Sequence, residues 1–125
     1  MPQHHHTVRA TTIIGTHVEN WEGEKLGIIE DVMVDKRLGE VTYLTLVYPG
    51  EYGQRYPNKR FAVPFESIAM RDMGNGEVEY ILNVNESFLR QAPGFDCDDR
   101  PDFADERFTS VLKDYYKDVS VDMRV

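Results

Sequence analysis

The stretch "EVTYLTLVY" (residues 40–48) decides the fold, because it alternates like a β-strand and is apolar on both sides. Val41, Tyr43, Thr45 and Val47 lie on one predicted face, and Leu44, Leu46 and Tyr48 lie on the other. A strand with one solvent-exposed face would carry polar residues on that face. We therefore expect this strand to lie inside a closed or doubly covered sheet.

Further strand patterns lie on both sides of this stretch. A β-branched strand is predicted from Thr11 in "TTIIGTHVEN", and "KLGIIEDVMVD" (residues 25–35) predicts another. Burial of both Ile29 and Val34 would require a bulge near Glu30–Asp31. Short runs at 60–70 and 77–84 follow, with a hairpin signal at Asn75–Gly76. Turn signals about every ten residues are typical of a small β-barrel or sandwich.

Helical periodicity is confined to the C-terminal third of the chain. Asn85 is the predicted N-cap of "NESFLRQA", and Asp102 with Asp105 resembles a carboxylate variant of a capping box. The segment 102–117 has one apolar stripe with helical spacing, made of Phe108, Val111, Leu112 and Tyr115. Residues 85–117 carry too much apolar surface for a free tail, so we expect them to pack back on the sheet as an ordered extension.

Composition restricts the class of protein. A chain of 125 residues is most simply one domain, and its net charge of −8 disfavours general nucleic-acid binding. No signal peptide is visible, and no run approaches the roughly 20 apolar residues of a membrane span. The expectation is a soluble, cytoplasmic protein with no membrane contact.

The acidic segment 96–106 invites comparison with a calcium loop. A loop of the EF-hand type counted from Asp96 would place Arg100 at position 5, Pro101 at position 6 and Arg107 at position 12. These residues cannot supply the required ligands, glycine and glutamate. The favoured interpretation is a strap whose Phe95, Phe103 and Phe108 are buried, and no metal site is predicted. A looser cation site stays open as an alternative.

No group of residues has the spacing of a catalytic site. Glu30, Asp31 and Asp35 are close in sequence, but nothing places two of them in one pocket, as acid–base catalysis requires. His17 lacks ligand partners at metal spacing, and Cys97 is a lone thiol. The prediction is that the protein is not an enzyme and has no cofactor.

The loop 48–60 is the candidate site for binding a partner. Three tyrosines alternate there with three cations: Tyr48, Tyr52, Arg55, Tyr56, Lys59 and Arg60. Tyr and Arg are enriched at interface centres, and aromatic residues mixed with cations also stack on single-stranded nucleic acid. A solvated loop is the favoured interpretation, a protein contact ranks second and nucleic acid third.

Four segments in the same order resemble the PRC-barrel proteins, named for the cytoplasmic domain of the photosynthetic reaction centre H subunit. They are "IIGTHVEN", "GEKLGIIEDVMVDKRLGEVTYL", "RFAVPFESI" and "QAPGFDCDDRPDFADERF". The last is similar to a tail found in stand-alone bacterial members. The resemblance implies a small six-stranded β-barrel. The predicted organisation is mainly β: a disordered N-terminus (1–10), which has no periodic pattern, the barrel (11–84), and a C-terminal strap and helix (85–125). The loop "PGEYGQRYPNKR" and Arg100 depart from the pattern common in stand-alone relatives.

The leading functional hypothesis is a non-catalytic PRC-barrel module that acts by protein–protein interaction, as a homodimer with a further unknown protein partner. The dimer is expected because a small barrel has room inside for only one apolar face of the strand 40–48. One alternative is a ribosome- or RNA-associated maturation factor, which the family resemblance suggests. The other is a small cation-binding protein or enzyme.

Overall fold

The computed structural model describes residues 8–74, 77–119 and 121, and only the backbone of residues 51 and 52. These described residues contain seven strands: β1 (His17–Glu19), β2 (Lys25–Asp35), β3 (Glu40–Val47), β4 (Lys59–Pro64), β5 (Ala69–Asp72), β6 (Val78–Ile81) and β7 (Gly94–Asp96). Four helices accompany them: α1 (Ala10–Ile13), α2 (Gly50–Arg55), α3 (Glu86–Arg90) and α4 (Glu106–Tyr116). A 3-10 turn, Phe65–Ser67, separates β4 from β5.

All seven strands form one sheet in the order β5-β6-β1-β2-β3-β4-β7. Neighbouring strands are antiparallel except for β1 and β6, which are parallel. Within the described residues β5 and β7 each have one strand neighbour, so the predicted closure into a barrel is wrong. The six strands predicted for residues 11–84 are present as β1–β6. The additional strand, β7, comes from the C-terminal segment and occupies the free edge of β4.

A bulge in β2 is confirmed at the predicted place. Ile29 lies opposite Leu46 and Asp31 lies opposite Thr45, so Glu30 is the extra residue between them. The expected burial of Val34 is wrong, since 56% of this residue is exposed. The β3–β4 pairing ends at Tyr43 opposite Pro64, and Val34 lies beyond that point, opposite Val41.

Strand β3 is covered on both faces, as its pattern predicted. Tyr43, Leu44, Thr45 and Leu46 are all buried. The ring of Tyr43 lies 5.4 Å from that of Phe103, in the C-terminal segment of the same chain. The apolar face from which a homodimer was predicted is therefore partly covered by the C-terminal segment of the same chain. The dimer itself stays a prediction.

The predicted strand from Thr11 is wrong over its first half. Residues 10–13 form the helical turn α1, which inserts Ile13 into the core. The chain becomes extended only after Gly15, whose φ of 93° is a conformation that other residues rarely adopt. The Gly15 amide donates to the Ile29 carbonyl over 2.7 Å, and β1 then runs beside β2.

Residues 85–119 pack on the sheet through both C-terminal helices. Asn85 is the N-cap of α3, as predicted, and its side chain accepts from the Phe88 amide at 2.8 Å. Leu89, Leu112 and Tyr116 belong to the buried core. The Tyr115 hydroxyl donates to the Phe88 carbonyl at 2.5 Å, which joins α4 to α3.

Two details of α4 differ from the sequence prediction. Its N-cap is Asp105, which accepts from the Arg107 amide, whereas Asp102 accepts from the Ala104 amide in the preceding turn. The helix therefore begins three residues later than expected, while Phe108, Leu112 and Tyr115 of the predicted stripe do pack on the core. Leu112 is buried, but Val111 is 54% exposed and lies outside the apolar stripe.

Two predicted features lie outside the described part of the chain: the hairpin turn Asn75–Gly76, and residues 1–7 of the disordered N-terminus. The strands β5 and β6, which flank the turn, pair antiparallel. Among the residues that are described, no helix is both long and apolar enough to cross a bilayer.

Candidate functional site

Helix α2 occupies a segment that the sequence predicted to be a polar loop. The helix folds back over Tyr48, and Gly53 makes this approach possible. A Cβ atom at Gly53 would collide with the carbonyl oxygen of Tyr48. Because glycine lacks this atom, the end of α2 presents Arg55 and Tyr56 beside the start of β4.

A groove of about 560 Å³ lies beside the end of α2. One wall runs from Arg55 to Lys59, and the other consists of Ala92 and the strand β7. The walls are joined where the Cys97 amide donates to the Asn58 carbonyl at 2.7 Å. Gly94 lies so near β4 that an added Cβ would come within 2.9 Å of the Arg60 carbonyl oxygen. The close packing of β7 against β4 therefore depends on that glycine.

The register of β4 and β7 assigns side chains to opposite faces of the sheet. Lys59 lies opposite Asp96, and Arg60 lies opposite Phe95. Residues directly opposite each other point to the same face, and successive residues point to different faces. Lys59 and Asp96 thus share one face, while Arg60 and Phe95 share the face covered by Phe103.

The six residues of the predicted partner-binding loop are therefore separated in the structure. Arg55, Tyr56 and Lys59 line the groove. Tyr48 is 7% exposed and packs edge-on against Phe61, and Arg60 is paired with Glu30 on the other face. The side chain of Tyr52 lies outside the described part of the chain.

The groove carries cations without carboxylate partners in an acidic protein. Seven other cationic side chains among the described residues form ion pairs: Arg37, Arg60, Arg71, Arg90, Arg100, Arg107 and Lys117. Six described cations have no described carboxylate within 4.0 Å, and two of them, Arg55 and Lys59, lie together in the groove; the others are Arg9, Lys25, Lys36 and Lys113. The Lys59 ammonium instead lies 5.4 Å from the ring centre of Phe61 and 6.0 Å from that of Tyr56.

On the opposite face, the bulged residue Glu30 connects three parts of the chain. One carboxylate oxygen pairs with Arg60 of β4, and the other accepts from Arg100 at 2.8 Å. The Arg100 guanidinium also lies 5.8 Å from the ring centre of Phe95. This cluster holds the segment after β7 against the sheet, directly behind one wall of the groove.

The acidic segment brings together one cluster with metal-ligating side chains. Ligand atoms of Asp96, Cys97 and Asp98 lie within 4.8 Å of one another. Asp96 already accepts from the Asp98 amide at 2.9 Å, as in an ordinary turn, and both aspartates are exposed. These three side chains could hold a cation, but nothing else at the site points to one.

The carboxylates considered for catalysis have structural partners instead. Glu30 pairs with Arg60 and Arg100, and Asp31 lies 3.9 Å from Arg100. Asp35 caps the β2–β3 turn, where hydrogen bonds from the Arg37 guanidinium hold its carboxyl pKa below the usual value. His17 is half-buried in β1. The structure brings no two of these groups together over the groove.

Sequence reasoning missed the wall of the groove that β7 supplies and the role of Arg100. Both depend on contacts between residues far apart in the chain, and no periodic pattern marks such contacts. The glycine at 94 before the aromatic Phe95 was the available signal, since a lone glycine in a strand often marks close backbone approach.

Comparison with protein families agrees with the mainly β fold. The family model of the PRC-barrel domain matches residues 5–85, nearly two-thirds of the chain. The chain belongs to the PRC-barrel family. No curated protein matches it. The matched region of this PRC-barrel protein contains α2 and β4, whereas β7 and α4 lie beyond it.

Proposed function

We propose that this PRC-barrel protein is a non-catalytic module that binds a protein partner through the groove between residues 55–59 and β7. The observation that carries the proposal is the combination, in one groove, of exposed aromatic surface with cations that have no described carboxylate partner. Tyr56 is 47% exposed there, beside Arg55 and Lys59. Aromatic and arginine side chains are enriched at the centres of protein interfaces.

The environment of the groove supports binding over catalysis. Acid–base and nucleophilic catalysis commonly use His, Cys or paired carboxylates. The described lining holds one carboxylate, Asp96, and neither His nor Cys.

Affinity capture from native lysate, followed by mass spectrometry, tests the proposal. Two groove variants, Tyr56→Ala and Arg55→Glu, are compared with the wild-type protein. The matched controls are Met73→Ala, which shortens another residue with 47% exposure, and Lys36→Glu, which reverses an exposed charge in the β2–β3 turn. Proteins retained by the wild type and both controls, and lost from both groove variants, would support a groove-dependent partner.

Two results would count against this function. One is an unchanged set of retained proteins in the groove variants, with circular dichroism showing that they are folded. The other is retention that disappears on nuclease treatment, which would favour the alternative of an RNA-associated factor. Each of the four variants is expected to fold, because surface substitutions usually change stability by less than about 0.5 kcal/mol.

A further inference from the structure

The charge of the groove indicates what kind of partner segment it fits. Arg55 and Lys59 face a single carboxylate in the lining, Asp96, so the lining carries a formal charge of +1. The whole chain carries −8. A basic site on an acidic protein attracts anionic groups locally while the rest of the surface repels them.

The two cations are also available for intermolecular contacts. Seven of the thirteen Lys and Arg side chains in the described residues are already paired with carboxylates. Arg55 and Lys59 have no such partner among those residues, and the Lys59 ammonium rests above aromatic rings. An incoming carboxylate would therefore gain two charge-assisted contacts without breaking an ion pair seen in the structure.

The size and form of the groove suit a short segment better than a globular surface. A stable interface between folded proteins buries about 800 Å² on each partner. A groove of about 560 Å³ instead matches the size of sites that hold small ligands or short peptides. Its second wall is the strand β7, and an extended segment has the form to lie along a strand.

We propose that the occupant of the groove is an acidic, extended segment of the partner protein. Its carboxylates pair with Arg55 and Lys59, and its apolar side chains contact Tyr56. This inference rests on the proposed function, because it names the chemistry of the partner at that same site.

The test uses three end-blocked seven-residue peptides and the full chain labelled with ¹⁵N. In the first peptide Glu alternates with Val, in the second Gln replaces Glu, and in the third Lys replaces Glu. Amide chemical shifts are followed during titration. The Glu peptide is expected to produce saturable shifts at residues 55–59 and 94–96. The Gln peptide is expected to bind at least about tenfold more weakly, and the Lys peptide is expected not to saturate.

Protein variants identify the responsible side chains. The double variant Arg55→Gln, Lys59→Gln is expected to lose at least about tenfold in affinity for the Glu peptide, whereas Lys36→Gln keeps the wild-type affinity. Raising salt from about 50 mM to about 300 mM is expected to weaken the wild-type complex, because exposed charges are screened.

Several results would overturn the inference. They are equal affinity for the Glu and Gln peptides, shifts outside the groove, and an absence of saturable binding. A dimer measured by light scattering that dissociates in the double variant would identify a second copy as the occupant instead. If lysate capture depends on the groove but these peptides do not bind as expected, the inference fails and the proposed function stands. If the groove variants capture the same proteins as the wild type, the proposed function itself fails.

Discussion

Arg100 donates through its guanidinium to the bulged residue Glu30 at 2.8 Å, a contact between residues 70 positions apart. The same carboxylate pairs with Arg60 of β4, whose side chain is only 16% exposed. One acidic residue in a β-bulge thus joins the middle of the sheet to the segment that follows β7.

Removal of this contact is expected to loosen the C-terminal segment locally. Arg100→Gln should cost no more than about 1 kcal/mol of unfolding free energy, because the pair is partly exposed. Amide hydrogen exchange at residues 97–104 should accelerate while exchange in β3 stays slow. Arg107→Gln is the control, since Arg107 pairs with the nearby Asp105. Equal acceleration in both variants would show that the Glu30 contact does not hold the segment.

The packing of α4 can be tested with two neighbouring residues. Leu112 is fully buried and Val111 is 54% exposed. Leu112→Ala should lower the unfolding free energy by about 2–5 kcal/mol through lost burial and the remaining cavity. Val111→Ala should change it by less than about 0.5 kcal/mol. Denaturation with urea measures both, and a small effect of Leu112→Ala would mean that α4 is not part of the core.

Tyr116 is expected to make the protein sensitive to alkaline pH. Burial raises the pKa of its hydroxyl well above the usual value near 10. Below that pH the hydroxyl is protonated in both states and has no effect on the pH dependence of stability. Above it the unfolded chain ionises first, so the folded state loses about 1.4 kcal/mol per pH unit from this residue.

The variant Tyr116→Phe isolates this contribution. Its unfolding free energy should fall less steeply than that of the wild type between about pH 10 and about pH 11. Urea denaturation across this range provides the measurement. Tyr115→Phe serves as a contrast at neutral pH, where loss of its bond to the Phe88 carbonyl should cost about 1 kcal/mol. Parallel alkaline slopes for Tyr116→Phe and the wild type would contradict the assignment.

Gly53 is expected to be essential for the position of α2. An added methyl group would collide with the Tyr48 carbonyl, so Gly53→Ala should displace the helix and destabilise the protein by about 1–3 kcal/mol. The neighbouring exposed Gln54→Ala is the control and should be nearly neutral. Thermal unfolding compares the two, and amide shifts at residues 55–59 report the movement. Wild-type stability and shifts in Gly53→Ala would show that the approach is not required.

The accuracy of prediction from sequence varied with the range of the interactions involved. The double burial of β3, the bulge at Glu30 and the N-cap at Asn85 were all confirmed. Each of these features depends on alternation or on a hydrogen bond within a few residues. The cap of α4 was placed at Asp102 because two acidic residues had the appropriate spacing, although Asp105 makes the bond.

The candidate site was predictable only in part. Arg55, Tyr56 and Lys59 were selected from composition, and they do line one groove. Tyr48 and Arg60 have the same residue types, but the register of β3 and β4 directs them into the core and toward Glu30. Composition alone cannot separate these groups, because it carries no information about which face a residue occupies.

The sequence by itself determined the β-rich fold, the family and the two covered faces of β3, because strand periodicity and burial follow from local alternation. The tertiary structure decided that β7 joins the edge of β4 and that Glu30 pairs with Arg60 and Arg100. It also decided that Gly53 brings α2 against Tyr48. These features depend on where distant segments meet, since backbone pairing, ion pairing and close packing form only after the chain has brought those segments together.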